Sequence, residues 1–286
     1  MKKFLSFPNH STWDKLGRIL APDPHIPWMS TVTGSSFGLP VEEGPLCDIY
    51  VTGRDDQNRS QIGRIRINLQ NPDQILYTAP EALLPLGDLG AFDENGVAYP
   101  YLVNYGGKMR MYYVGWMPTV LTPCQNQIGL AVQEADGSFK RVSRAPILER
   151  TDDDYLSMGS SCVIYDEDKF RMWYTSYLKW GKIAGEPKHT YVIKYAESED
   201  GIHWQRANQV CIDIYYDWEF AICRPTVIKS NGHYHMWYAT RGEHYRIGYA
   251  FSKDGIHWMR RDDLAGISPS GAGWDSHLPC PLLADV

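Results

Sequence analysis

Asp200-Gly201-Ile202-His203-Trp204 returns letter for letter as Asp254-Gly255-Ile256-His257-Trp258, and an arginine follows each copy within two residues (Arg206, Arg260). Such an identity does not arise by chance in one chain, so the sequence is an array whose period decides the fold. Upstream, Arg171-Met172-Trp173-Tyr174 matches His235-Met236-Trp237-Tyr238. Between these elements, Ile193-Lys194-Tyr195-Ala196-Glu197-Ser198 matches Ile247-Gly248-Tyr249-Ala250-Phe251-Ser252. Weaker copies stand at 109–113, 127–131 and 136–141, and again at 48–51 and 61–65. The equivalent isoleucines Ile62, Ile128, Ile193 and Ile247 lie roughly 54 to 66 residues apart, the length of a four-stranded propeller blade with loops.

The local chemistry agrees with strands. Arg110-Met111-Tyr112-Tyr113-Val114 and Tyr234-His235-Met236-Trp237-Tyr238-Ala239 are rich in aromatics and suit half-buried strands. Asp-Gly at 136, 200 and 254 is a tight hairpin signal, because glycine accepts positive φ. No long apolar period of 3.6 residues is present. The expected fold is all-β: a five-bladed β-propeller in one domain spanning 1–286. Its blades are expected at about 26–69, 91–147, 156–214 and 221–264, each opening on an innermost strand: Tyr99-Pro100-Tyr101-Leu102-Val103, Ser161-Cys162-Val163-Ile164 and Arg224-Pro225-Thr226-Val227-Ile228 in the last three. Remnants of an incomplete fifth blade are expected at 4–20 and 273–286, closed by both termini, because a closed ring leaves no bare sheet edge. Residues 177–190 read as an insertion of about ten loop residues in blade three, with Trp180 placed beside a pocket or on a solvated loop.

The net charge of −6, with no basic run, argues against a nucleic-acid partner. Ten Trp and 19 Tyr exceed what cores usually need, and aromatic faces also stack on sugar rings. The six cysteines show no metal spacing and read as buried small hydrophobes of a reducing compartment. Lys2-Lys3 is followed by Asn9-His10-Ser11 before any useful apolar run, so a cytoplasmic protein without a membrane partner is expected. No cofactor or metal signal appears: there is no phosphate loop, no G-x-G-x-x-G and no His-x-x-x-His.

The Met-Trp-Tyr and Tyr-Ala-x-Ser-x-Asp-Gly-Ile-His-Trp pattern resembles the five-bladed propellers of glycoside hydrolase families 43, 32, 117 and 130, over nearly the whole chain. Arg54-Asp55-Asp56-Gln57-Asn58-Arg59-Ser60 and Phe92-Asp93 with Gly96-Val97 resemble the blade-one and blade-two signatures of a bacterial branch of that group. That branch continues after Trp-Asp-Ser with a glutamate, where His277 stands here. The resemblance implies catalytic carboxylates at the entrances of innermost strands, facing a central channel.

Glycoside hydrolysis needs two carboxyl groups about one bond. Asp93, Asp154, Glu219 and Asp275 each precede an innermost strand by six or seven positions. Taken singly, each serves equally well as a turn-capping carboxylate; their recurrence marks the group, with Asp93, Asp154 and Glu219 as candidate catalytic acids. Blade one is hydroxyl-rich at that phase (Ser30, Thr31, Thr33, Ser35, Ser36), and Asp23 is a weak substitute. Arg54, Arg59, Arg224 and Arg241, with Asp55, Trp180 and Asp275, are candidate substrate contacts. Guanidinium forks suit a carboxylate or phosphate on a sugar; an ion-pair lattice with Asp55, Asp56 and Glu243 is the competing reading. His203 and His257, copied with the turn, are structural. The expected function is a carbohydrate-active enzyme working on a glycosidic bond. The alternatives are a sugar-binding propeller without catalysis, or a biosynthetic step on an acidic or nucleotide-linked sugar. The expected partner is a carbohydrate or sugar-derived small molecule.

Overall fold

The computed structural model describes residues 13–41, 44–183, 186–273 and 275–276. Those residues form sixteen strands and two short 3-10 turns, with no α-helix among them. The strands fall into four antiparallel units. The first holds β1 (Val32–Pro40), β2 (Leu46–Arg54), β3 (Ser60–Asn68) and β4 (Asn71–Thr78). The second holds β5 (Gly96–Tyr105), β6 (Lys108–Met117), β7 (Gln125–Gln133) and β8 (Phe139–Arg141). The third holds β9 (Met158–Asp166), β10 (Lys169–Ile183), β11 (Glu186–Ser198) and β12 (Gln205–Ile212). The fourth holds β13 (Ala221–Ser230), β14 (His233–Arg241), β15 (Tyr245–Ser252) and β16 (Trp258–Arg260).

Each unit is an up-and-down meander, and a single parallel bridge joins units in pairs: Ser60 with Gly96, and Tyr191 with Ala221. The first strands of successive units lie side by side, β1 against β5, β5 against β9 and β9 against β13. Every one of them carries a bulge at the same phase. The register slips between Thr33 and Ser36, between Ala98 and Tyr101, between Met158 and Ser161, and between Cys223 and Thr226. Bulges re-aim side chains where a strand begins.

The repeated pentapeptide joins the units to one another. In unit three, Asp200 Oδ1 accepts the backbone N–H groups of Ile202 and His203, and Oδ2 meets His203 Nδ1 at 2.7 Å. Gly201, at φ 72°, closes the turn. The turn's carbonyls then receive donors from the preceding unit: Arg110 to Asp200 O and Tyr112 Oη to Gly201 O at 3.0 Å. Unit four repeats the arrangement, with Arg171 on Asp254 O at 3.0 Å and Trp173 Nε1 on Gly255 O at 2.7 Å. The motif's tryptophan meets the same partner edge-on, Trp204 on Tyr112 and Trp258 on Trp173, both at 6.0 Å. Such edge-to-face pairs add about 0.5–1.5 kcal/mol beyond their buried area.

Three expectations need correction. The first unit runs past 69, because β4 pairs with β3 and completes the meander. Its innermost strand starts at Val32, while Trp28 lies in a 3-10 turn, Pro27–Met29. The stretch 177–190 is not a loop: β10 and β11 continue as one long hairpin, paired out to Ile183 and Glu186. Of the expected fifth-blade remnants, residues 4–12, 274 and 277–286 lie outside the described residues, Cys280 and His277 among them. The described remainder is placed by contacts with unit four. Trp13 Nε1 donates to Ala265 O at 3.0 Å, and its ring meets Trp237 edge-on at 6.0 Å.

Candidate functional site

The three candidate catalytic acids are buried, and each is bonded within its own unit. Asp93 Oδ2 accepts Tyr113 Oη at 2.9 Å and Arg141 Nε at 2.7 Å. Asp154 accepts Tyr174 Oη at 2.8 Å, Ser176 Oγ at 2.6 Å, Lys194 Nζ at 3.0 Å and Arg206 at 3.1 Å. Glu219 accepts Thr240 Oγ1 at 2.5 Å, two Arg260 nitrogens at 2.7 and 3.0 Å, and the N–H groups of Tyr215 and Tyr216. The pattern is one device repeated. An acid just before the first strand is gripped by the arginine that ends or opens the fourth, with a hydroxyl from the second strand between them. The tyrosine of unit four, Tyr238, bonds Asp262 instead, which shares Arg260 with Glu219.

Electrostatics follow from this. Burial pushes the Asp154 carboxyl up, but donors from Ser176, Tyr174 and Lys194 outweigh it and hold the group below the usual range. Burial likewise opposes the Glu219 charge, and Arg260 with Thr240 overcomes it. Burial and the adjacent carboxylate raise the Tyr113 and Tyr174 hydroxyls. A general acid in glycoside hydrolysis needs a raised carboxyl facing substrate; Asp154 and Glu219 are set the opposite way.

Asp275 repeats the grip across the two ends of the described chain. Lys15 Nζ lies 2.6 Å from its carboxylate, and Ser270 Oγ donates at 2.8 Å. Lys15 stands two residues after Trp13, as Arg206 stands two after Trp204 and Arg260 two after Trp258. Unit one lacks an acid because it is fastened otherwise. Trp28 Nε1 donates to Ala79 O at 2.9 Å, tying the start of the unit to its end. A Cβ on Gly63 would stand 2.3 Å from the Trp28 ring, and one on Gly53 2.4 Å from the Trp28 carbonyl. Asp23 caps a local turn, accepting the His25 N–H at 2.9 Å.

The bulges assemble a different surface. Tyr99 and Arg224 are the equivalent bulge residues of β5 and β13, each preceding a proline and each at positive φ, 55° and 54°. Left-handed backbone at a non-glycine residue costs about 1–3 kcal/mol, and a following proline disfavours helical angles as well. Hydroxyls hold both bends: Tyr99 N–H donates to Thr52 Oγ1, and Arg224 N–H to Ser160 Oγ, both at 3.1 Å. The Arg224 guanidinium lies 4.6 Å over the Tyr99 ring, reaching past β9 from unit four to unit two. Second-strand ends gather around this pair. Tyr177 lies in the field of Tyr99, Cys124 and Cys223, and its hydroxyl accepts from Asn126 Nδ2 at 3.0 Å. His189 stacks on Tyr177 at 4.6 Å, and Trp180 meets His189 edge-on at 4.7 Å. Tyr191 and Tyr245 share a hydroxyl contact at 2.9 Å, and Arg241 lies 4.8 Å over Tyr245. Arg54 covers Trp116 at 5.3 Å. Burial, then Arg241 and Lys188, hold His189 down at about 4, so it is neutral at pH 7.

Of the predicted substrate contacts, Arg54, Trp180, Arg224 and Arg241 fall on this surface. Asp55 and Arg59 do not act in a pocket but lock a turn: Asp55 accepts the N–H groups of Gln57 and Arg59 and pairs with the Arg59 guanidinium at 2.8 Å. Tyr99, Trp116, Tyr177, His189 and Tyr245 were not anticipated. The equal phase of Tyr99-Pro100 and Arg224-Pro225 is the sequence signal that marks the bend. Among the described residues no cluster of His, Cys, Asp and Glu fits a metal ion, and none of the five described cysteines forms a disulfide.

No family model matches the chain. The chain is 40% identical over 274 residues to the uncharacterized Mycobacterium tuberculosis protein MT1551 of strain CDC 1551 / Oshkosh, covering 94% of this chain and 90% of that one. Identity and coverage are the same for the uncharacterized protein Rv1502 of strain H37Rv. Among solved structures, a glycoside hydrolase superposes with TM-score 0.69 at 18% identity, over 88% of this chain and 80% of that one. An alpha-L-arabinofuranosidase from Lactobacillus brevis superposes with TM-score 0.61 at 15% identity, over 79% and 71%. The fold is therefore shared with five-bladed propeller glycoside hydrolases.

Proposed function

We propose, for a chain that belongs to the family of the uncharacterized Mycobacterium tuberculosis proteins MT1551 and Rv1502, that its task is to hold a carbohydrate or sugar-derived small molecule where the innermost strands begin. The observation that carries this reading is the Arg224–Tyr99 stack on two strained bulges, with Tyr177 and Tyr245 beside Tyr99. Strain at a pair of equivalent positions is retained where a ligand-facing geometry requires it. Flat aromatic faces beside guanidinium donors suit pyranose rings and their substituents. The fold, shared with glycoside hydrolases, supports the same ligand class. The fastening rule supports a fifth unit to which the segments around Lys15 and Asp275 both contribute: Lys15 holds Asp275 as Arg206 holds Asp154, and Trp13 meets Trp237 as Trp258 meets Trp173.

The test is saturation-transfer NMR with a panel of mono- and disaccharides, comparing the wild type with Trp180→Ala and Arg224→Met. Contact signals that disappear in both variants support the reading; signals unchanged in both overturn it.

Cleavage of a glycosidic bond by Asp93, Asp154 and Glu219 is a second reading. One observation favours it: Asp93 Oδ1 is buried without a hydrogen-bond partner, leaving one acid oxygen uncommitted. Turnover of a glycoside panel by the wild type, lost in Asp93→Asn at unchanged stability, would support it. Equal rates in the two would remove Asp93 from the chemistry.

A further inference from the structure

Most half-buried arginines of this protein end on a carboxylate; Arg110, which has no ion pair among the described residues, donates to the Asp200 carbonyl of a structural turn. Arg64, Arg66, Arg141, Arg206 and Arg260 all end on carboxylates. Arg54 and Arg241, on the surface around Tyr99, have no ion pair among the described residues. Arg54 donates to Asn58 Oδ1 at 2.6 Å. Arg241 donates to Tyr245 Oη at 3.2 Å and lies beside the Tyr191 hydroxyl. These partners are neutral, and a guanidinium has five donors, so neither charge is balanced among the described residues. Each is nevertheless packed against rings, Arg54 on Trp116 and Arg241 on Tyr245 and Phe220, which removes water from one face of the charge. Taking a cation out of water without a counter-charge is costly. Arg54 acts on Cys124, Tyr177 lies in the field of Cys124 and Tyr99, and Tyr245 lies in the fields of Tyr99 and Arg241. His189 Nδ1 is buried there without a hydrogen-bond partner, and its neutrality means that it adds no further positive charge.

We infer that the ligand of this surface carries an anionic group, a carboxylate or a phosphate on a sugar, and that Arg241 and Arg54 receive it. This rests on the preceding proposal for its sugar part only; the anion part stands on the two guanidiniums. Stacked, pre-oriented forks match planar carboxylates and phosphate oxygens in pairs of parallel hydrogen bonds. The ring neighbours fix the plane of each fork before the ligand arrives, which lowers the ordering cost of binding.

Isothermal titration would compare glucuronate, glucose 6-phosphate, glucose and inorganic phosphate on the wild type, Arg241→Met and Arg54→Met, with thermal melts confirming that the variants are folded. The expected result is that at least one charged sugar binds about ten- to hundredfold more tightly than glucose. That ratio should collapse toward one in Arg241→Met and weaken with added salt. Glucose binding as tightly as both charged sugars, with the ratio unmoved by Arg241→Met, overturns the anion inference and leaves the sugar reading standing. Phosphate binding that depends on Arg241, with no affinity for any sugar, does the reverse. No binding of any probe to the folded wild type overturns both.

Discussion

The Arg224 guanidinium rests 4.6 Å above the ring of Tyr99, although the two residues sit in units separated by a third. They are repeat-equivalent, each the left-handed residue before a proline at the start of an innermost strand. The strands that carry them, β5 and β13, both pack against β9, which brings the two positions together. A double-mutant cycle with Tyr99→Leu and Arg224→Met should return a coupling of about 0.5–2 kcal/mol in urea unfolding. A coupling indistinguishable from zero would mean that the stack does not contribute to stability.

The acid–arginine grips predict a stability phenotype. Asp154 holds a lysine, an arginine, a tyrosine and a serine at once, and Asp154→Asn leaves two buried cations short of a counter-charge. The expected loss is about 3–5 kcal/mol in equilibrium urea unfolding. A loss below about 1 kcal/mol would show that the surroundings adapt and that the grip is dispensable.

Acid should undo the same grips. The folded Asp154 and Glu219 carboxyls lie below their unfolded values of about 3.9 and 4.3. The unfolded chain therefore binds more protons as pH falls, and the contribution, fully present above about pH 5, disappears as pH drops through the folded values. His189 adds a second slope with the same sign, at higher pH. It is held at about 4 when folded, while the unfolded imidazole takes its proton near 6.5, so stability also declines from about pH 6.5 toward 4. Urea midpoints measured from pH 7 to pH 3 should show both slopes, and His189→Gln should flatten only the upper one.

Gly63 faces Trp28 with no room for a methyl group, and Gly129 stands in the same relation to Tyr113. Gly63→Ala should cost about 1–3 kcal/mol, because the indole that ties unit one together would have to move. A melting temperature equal to the wild type would show that Trp28 shifts freely. Gly137, in an open turn, is not crowded; its φ of 88° is what an alanine would find costly.

The repeat was readable because its ruler consists of residues that join units. Asp200, Gly201, His203 and Trp204 form the turn that the preceding unit grips, and unit four repeats it letter for letter because Arg171 and Trp173 grip its copy. Their copying announced the all-β class, the strand order within each unit and the structural role of both histidines. The acids recurred for the same reason, and recurrence there reports a fastening that every unit requires; Asp93, Asp154 and Glu219 align with one another on that account. The blade-one exception could not be interpreted from sequence, since an indole and two glycines replace an acid and an arginine by shape. The cluster around Tyr99 was only half legible. Arg54, Trp180, Arg224 and Arg241 stood out by residue type, but Tyr99, Tyr177 and Tyr245 hide among 19 tyrosines. What distinguishes Tyr99 is a backbone angle, set by hydroxyls on neighbouring strands that no local pattern reveals. The long hairpin at 177–190 was misread because its strand alternation is interrupted by glycine and lysine.

The contact between Lys15 and Asp275 spans 260 positions of sequence. During synthesis Lys15, with Trp13 two residues before it, must wait until the chain has been made as far as Asp275. Closure of so long a loop is slow relative to the local hairpins. The four meanders can therefore mature one after another at the ribosome, while the Lys15–Asp275 contact forms after them. Until then the Trp237 ring lacks the edge-on contact that Trp13 supplies in the folded protein, and a surface that waits for a distant partner is where a growing chain is most prone to mispairing.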